Sequence, residues 1–250
     1  ALCFSRDHSR AQDAGAYGAA AASLAGLIPA LKVLFTGAGE TVSFPWPVPL
    51  GSITFTLDPL ASFFLVPLYL LTGLSAIYGV DYLKSYAGKK PLGLAWAAFN
   101  TLTAAMIAVF TAGNAVLFML GWELMAAASF LLVLFEHEKP QVRRAAFIYL
   151  AAGGTGALLL LAAFSLLGAG SASLDFSSFA SPSCGAATAV FLLALCGFGL
   201  KAGFIPLHVW LPEAHPAAPS QVSAVMSGIM LMHGIYGLIR VLAVIKPWEA

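Results

Sequence analysis

Residues 196–240 read CGFGLKAGFIPLHVWLPEAHPAAPSQVSAVMSGIMLMHGIYGLIR, and they place Lys201 near the inner end of an apolar run that Pro206 then interrupts. An ammonium group in hydrocarbon costs ~2.5–3.5 kcal/mol on insertion scales, so it requires a partner, a water-filled cavity or a function. Proline removes a backbone donor and clashes one turn back, so the helix carrying Lys201 is expected to break between about Phe204 and Pro206. Backbone that leaves the helix at membrane depth is tolerated only where protein or water satisfies the freed groups. Lys201 is therefore expected to face a polar interior.

Composition places this stretch in a membrane. The chain is 60% hydrophobic and only 9% charged, whereas charged residues make up about a quarter of ordinary soluble domains. A net charge of +1 offers nothing to a nucleic acid. Cys3, Cys184 and Cys196 lack CxxC or metal-ligand spacing and read as small packing residues.

Apolar runs of about 20 residues cross a bilayer as helices. Seven are predicted, at 14–36, 58–80, 92–111, 114–135, 142–168, 187–206 and 220–245. Between the first two, ETVSFPWPVPLGSITFTLDP alternates and is proline-rich, which predicts an extended or hairpin-like surface segment. Asp58 before Pro59 suits the N-cap and first turn of the second helix, and Gly113 with Asn114 suits a tight turn before the fourth. Loops on one side carry Arg6, Arg10, Lys84, Lys89, Lys90, Lys139, Arg143 and Arg144, while the connections 37–57, 111–113 and 168–186 carry no basic residue. The basic side is expected to be cytoplasmic.

Ionisable groups inside the spans are the candidates for function. Glu123 lies about ten residues into its span, roughly 14 Å deep, and is expected to be buried there. His233 lies about 13 residues into the last span, roughly 20 Å from its cytoplasmic end, and serves either proton exchange or helix packing. Arg143 and Arg144 open the fifth helix and set topology or modulate Glu123. His208, His215 and Glu213 follow the break, where prolines 206, 212, 216 and 219 argue against a metal site. Gly153, Gly154 and Gly156 suit close helix packing, not a phosphate loop.

The lysine and proline, WLPEA at 210–214 and GIYGLIR at 234–240 carry a family likeness, joined by GWELM at 121–125 and VRRAAFIYL at 142–150. They resemble the antiporter-like membrane subunits of respiratory complex I, the related cation/proton antiporters and the membrane-bound hydrogenases, nearest to the hydrogenase-4 and formate hydrogenlyase group. The resemblance implies an all-α, polytopic integral membrane bundle with one helix broken at Pro206. Residues 1–250 would form a single membrane domain, the N-terminal part of a 14-helix-type subunit including the first inverted repeat. A start at Ala1 rather than methionine agrees with a fragment.

The function implied is proton or cation translocation within a redox-driven oxidoreductase complex of hydrogenase or NADH:quinone type, in the inner membrane of a prokaryote. Glu123, Lys201 and His233 would form the relay, with Glu123 and Lys201 as a mid-membrane pair. His208 would accept protons at the channel entrance, and Trp210 would anchor at the interface. Beyond lipid, the partners would be other membrane subunits and a peripheral redox arm. The chain itself would hold no cofactor and no reaction chemistry, with Fe-S clusters and Ni-Fe or flavin in partner subunits. Relatives place a lysine where Met232 stands, or a histidine where Met226 stands. A non-pumping membrane anchor and a Na+/H+ antiporter subunit are the alternative readings.

Overall fold

The computed structural model describes residues 8–45, 52–171, 173–179 and 182–246, with side chains from Gln12 onward. Cys3, Arg6 and residues 46–51 lie outside the described residues. The order is α1 (His8–Thr36), β1 (Glu40–Phe44), β2 (Ile53–Leu57), α2 (Pro59–Lys84), α3 (Leu92–Thr111), α4 (Ala115–Val133), α5 (Pro140–Gly168), α6 (Cys184–Ala202), α7 (Leu211–Ala217), α8 (Ser220–Val225) and α9 (Met232–Ile245). Seven described helices are long and apolar enough to cross a membrane, the last running from Ser220 to Ile245 through α8 and α9. Large apolar side chains such as Ile28, Phe35, Phe147 and Leu158 point outward. In a bilayer such a face meets lipid rather than water.

The helix starts follow the local chemistry of the sequence. Asp58 caps α2 by accepting from the Ala61 N–H at 2.8 Å. Asn114 caps α4, its side-chain oxygen accepting from Val116 N–H at 2.7 Å. Each satisfies a donor that the first helical turn leaves unpaired.

The segment after α1 is a hairpin as expected, β1 pairing antiparallel with β2 from Glu40 opposite Leu57 to Phe44 opposite Ile53. It is tied to two other connections. Gly113 N–H donates to Thr54 O at 2.8 Å, and Phe176 N–H donates to Gly113 O at 2.9 Å. The hairpin, the α3–α4 turn and the 173–179 segment therefore close one end of the bundle together. The basic loops lie at the other end.

In the bundle, α1 packs on α2, α3 on α4, and α6 on both α5 and α9. Where α6 meets α9 the backbones nearly touch: a Cβ at Gly234 would stand 2.5 Å from Phe198 O. Only glycine admits that approach. Of the three glycines expected to pack, Gly156 does, facing Gly197 O, while Gly153 and Gly154 have no neighbouring atom within 4 Å. Gly153 borders a small cavity toward α6 and Gly154 the groove between α4 and α5, so neither meets a packed neighbour. Cys184 and Cys196 are exposed rather than packed, because α6 presents that side outward.

Arg240, near the end of α9, clasps Asp58 with two bonds of 2.6 and 2.7 Å, joining the start of α2 to the last span. Burial alone would raise the Asp58 carboxyl. The Arg240 guanidinium and the Ala61 N–H outweigh it and hold the group below its ordinary value. A depressed carboxyl contributes stability that is complete above its unfolded pKa and is lost as pH falls through the folded one. Asp58→Asn should therefore lower stability by about 2 kcal/mol at neutral pH and flatten the acid limb of thermal unfolding in detergent. An unchanged acid limb in the variant would remove Asp58 from that role.

Candidate functional site

The site begins where α6 stops. Gly203 takes a left-handed conformation with φ of 75°, which glycine adopts freely and residues with a Cβ resist. The helix ends at Ala202 and the chain stays non-helical until α7, so the break opens just before the expected interval at 204–206. The Ile205–Pro206 peptide within it is cis.

A broken helix leaves carbonyls unpaired, and one finds its partner here. The Trp210 indole N–H donates to Leu200 O at 2.6 Å. Trp210 is 2% exposed, so it stands inside the bundle instead of anchoring at the interface. The freed carbonyl drew it inward, a demand that residue type alone does not announce.

Lys201, 4% exposed, donates to the Tyr149 hydroxyl at 3.0 Å. Its ammonium lies 5.2 Å from the Tyr149 ring centre and 5.6 Å from that of Trp122. Aromatic faces attract a desolvated cation by about 2 kcal/mol. Tyr149 in turn donates to Met230 Sδ at 3.7 Å and meets Trp210 edge to face at 5.2 Å. A cavity of about 10 Å3 adjoins the ammonium, lined by Trp122, Tyr149, Gly153 and Trp210 among others. That is about the room of one water molecule.

The expected ion pair between Lys201 and Glu123 is absent among the described residues. Successive helical residues point about 100° apart. On α4 the inward place at this level belongs to Trp122, which is 2% exposed, and Glu123 next to it faces out. Its carboxylate lines a groove of about 590 Å3 between α4 and α5, with Met119, Leu120, Gly154, Leu158 and Leu161. Nor does the structure bring Arg143 or Arg144 to Glu123 as an ion pair. Arg143 donates to the carbonyls of His137 and Glu138 at 2.8 and 3.1 Å.

His233 is fully buried. Its Nδ1 lies 3.0 Å from Ile229 O and its Nε2 3.1 Å from Met106 O, and its ring stacks on Phe110 at 3.8 Å. A neutral imidazole can donate to only one of these carbonyls, whereas an imidazolium donates to both. Residues 226–230 form a π turn, which takes up one extra residue and shifts the face presented downstream. The inward place after the turn falls to His233, while Met232 is 39% exposed. The one-residue offset from Met232, where the resemblance implied a lysine, does not turn this histidine outward.

Beyond the break, His215 Nδ1 pairs with Ser223 Oγ at 3.1 Å, and burial holds its pKa below the usual value. His208 has a buried Nδ1 with no hydrogen-bond partner among the described residues. Among the described residues no three His, Cys, Asp or Glu side chains gather as a metal site.

Residues 112–249, more than half of the chain and the whole neighbourhood of the broken helix, match the family described as NADH:quinone oxidoreductase/Mrp antiporter, TM. The chain belongs to that family. It is 39% identical over 210 residues to hydrogenase-4 component B of Escherichia coli, an alignment covering 83% of this chain and 31% of that protein. It is 34% identical over 178 residues to NAD(P)H-quinone oxidoreductase chain 4 2 of Microcystis aeruginosa, covering 70% and 32%. The chain thus spans about a third of the length of these curated relatives.

Solved structures agree in fold. The Mrp complex from Dietzia matches with a TM-score of 0.79 at 22% identity, over 95% of this chain and 45% of its own. The membrane-bound sulfane sulfur reductase, an archaeal respiratory membrane complex, matches with 0.74 at 24% identity, over 95% and 40%. The antiporter-like membrane fold expected from the sequence is therefore the fold found.

Three features of the site escaped sequence reading. Tyr149 stands within VRRAAFIYL, but nothing there says that it reaches a lysine 52 positions on. Trp122 precedes Glu123 in an apolar span, where an aromatic residue carries no mark of a cation partner. Arg240 did carry a signal, being a charged group about 20 residues into the last span.

Proposed function

We propose that this chain is the N-terminal part of an ion-translocating membrane subunit, and that protons pass through its interior by way of Lys201 and His233. One observation carries the reading: a buried lysine at the end of a broken helix, held by a tyrosine hydroxyl and two aromatic faces instead of a carboxylate. A group that only braced the bundle would favour a counter-ion. Lysine and histidine both exchange protons in protein interiors, and the helices that carry these two, α6 and α9, pack directly on each other. Glu123 supplies the third relay group, at the outer groove between α4 and α5, where a neighbouring subunit can face it. Arg143, Arg144 and His208 are modulators of that path or part of its entrance.

Membership of the family and likeness to hydrogenase-4 component B and to NAD(P)H-quinone oxidoreductase chain 4 support a place in a redox-driven complex. In that reading a peripheral arm and its partner subunits hold the Fe-S clusters and the Ni-Fe or flavin centre. The protein spans the inner membrane of a prokaryote with its basic loops in the cytoplasm.

The test uses the whole complex in proteoliposomes, with redox turnover and lumen pH followed together. The parent should acidify the lumen in step with turnover. Glu123→Gln should lose most of that acidification while keeping turnover under a protonophore. A parent complex that turns over without moving protons would leave the chain as a membrane anchor.

A further inference from the structure

The hairpin end of the bundle encloses a cavity of about 600 Å3. Its walls on that side are polar, with Thr41, Ser43, Thr54, Thr56, Asp58 and Arg240 among the lining residues. A space of that size with so many hydroxyl and charged partners is hydrated. Its deeper wall is aromatic and includes Phe118 and Phe198. Phe198 is 1% exposed, and its ring meets Trp122 edge to face at 5.5 Å and Phe118 at 6.0 Å. Phe118 and Trp122 stack at 5.7 Å. On the far side of this layer the Lys201 ammonium lies 5.6 Å from the Trp122 ring centre. Phe198 and Lys201 are three residues apart on α6 and so stand one above the other on one face. Gly237 gives the Phe198 ring its place, since a Cβ there would fall 2.2 Å from Phe198 Cε1.

We propose that the cavity under the hairpin is an aqueous access to Lys201 from the hairpin face, and that Phe198 is the barrier residue that keeps it closed. The inference rests on Lys201 being on the ion path and adds a second way in. An ammonium reached by water from both faces at once would discharge an energised membrane. Access from the hairpin face therefore requires a barrier between cavity and lysine, and the aromatic layer occupies that position. The species admitted is a proton carried by water. In this proposal the Phe198 ring, seated on Gly237, is the part of the layer that swings aside to let water through.

The whole complex, reconstituted in vesicles and held without redox substrates, is given an imposed pH gradient. Phe198→Ala should dissipate it at least tenfold faster than the parent, and Phe198→Ala with Lys201→Met should return to the parent rate. Phe198→Leu, which keeps apolar packing with a smaller plug, should leak at an intermediate rate and serves if the alanine variant does not assemble. A Thr54→Cys variant lacking the three native cysteines should react with an impermeant thiol reagent from the hairpin face only. Assembled Phe198 variants no leakier than the parent would overturn the proposal. So would a leak that persists without Lys201. A parent that acidifies its lumen during turnover, beside a tight Phe198→Ala complex, would leave the translocation reading standing and remove the barrier alone.

Discussion

Complexes carrying Gly234→Ala should melt roughly 2–12 °C below the parent and accumulate in reduced amounts. The added Cβ would stand 2.5 Å from Phe198 O and 2.9 Å from Ala202 N, both backbone atoms of α6. A clash with the end of a flexible side chain relaxes by rotation, but this one forces two membrane helices apart. Overpacking of that kind costs about 1–3 kcal/mol or more, and each kcal/mol moves the midpoint by about 2–4 °C in a chain of this size. Gly154→Ala is the control, because no atom lies within 4 Å of its Cβ position. Its melting point should match the parent. Equal melting points for both variants would mean that α6 and α9 do not meet at Gly234.

The second large effect is expected at the lysine itself. Lys201→Arg should leave the complex assembled and turning over, yet slow proton movement roughly 100-fold or more. The guanidinium keeps its charge and can stack on Trp122 and Tyr149, so the attraction to those rings survives. What it loses is proton exchange, since arginine stays protonated throughout the physiological range. A lysine serving as a brace would tolerate the change with little effect on transport. Tyr149→Phe should act in the same direction more weakly, about tenfold, by taking away one hydrogen bond to a charged group.

The seven spans, the hairpin and the helix break were legible in the sequence because each has a local cause. Apolar runs of membrane length, the Asp58–Pro59 start and the glycine and proline around 203–206 act over a few residues. The contents of the site were less legible because they depend on which way each residue faces. Glu123 has the depth of a buried relay group, yet it shares its level with Trp122, and only one of two successive residues can point inward. His233 stands one place from where the resemblance implied a lysine, and the π turn at 226–230 sets the inward face there. Trp210 has the composition of an interfacial anchor but goes to an unpaired carbonyl ten residues earlier. The cavity under the hairpin was out of reach for a further reason. It is assembled from β1, β2, the 173–179 segment and the ends of helices distant in sequence.

If protons pass through Lys201, the number delivered per electron pair must fall when that residue can no longer release one. Parent and Lys201→Arg complexes would be reconstituted at equal density and compared at matched redox turnover, with lumen pH and substrate consumption recorded together. The parent should hold a constant ratio, and the variant should turn over with no more acidification than protonophore-treated vesicles show. A Lys201→Arg complex delivering protons at the parent's ratio would contradict passage through Lys201.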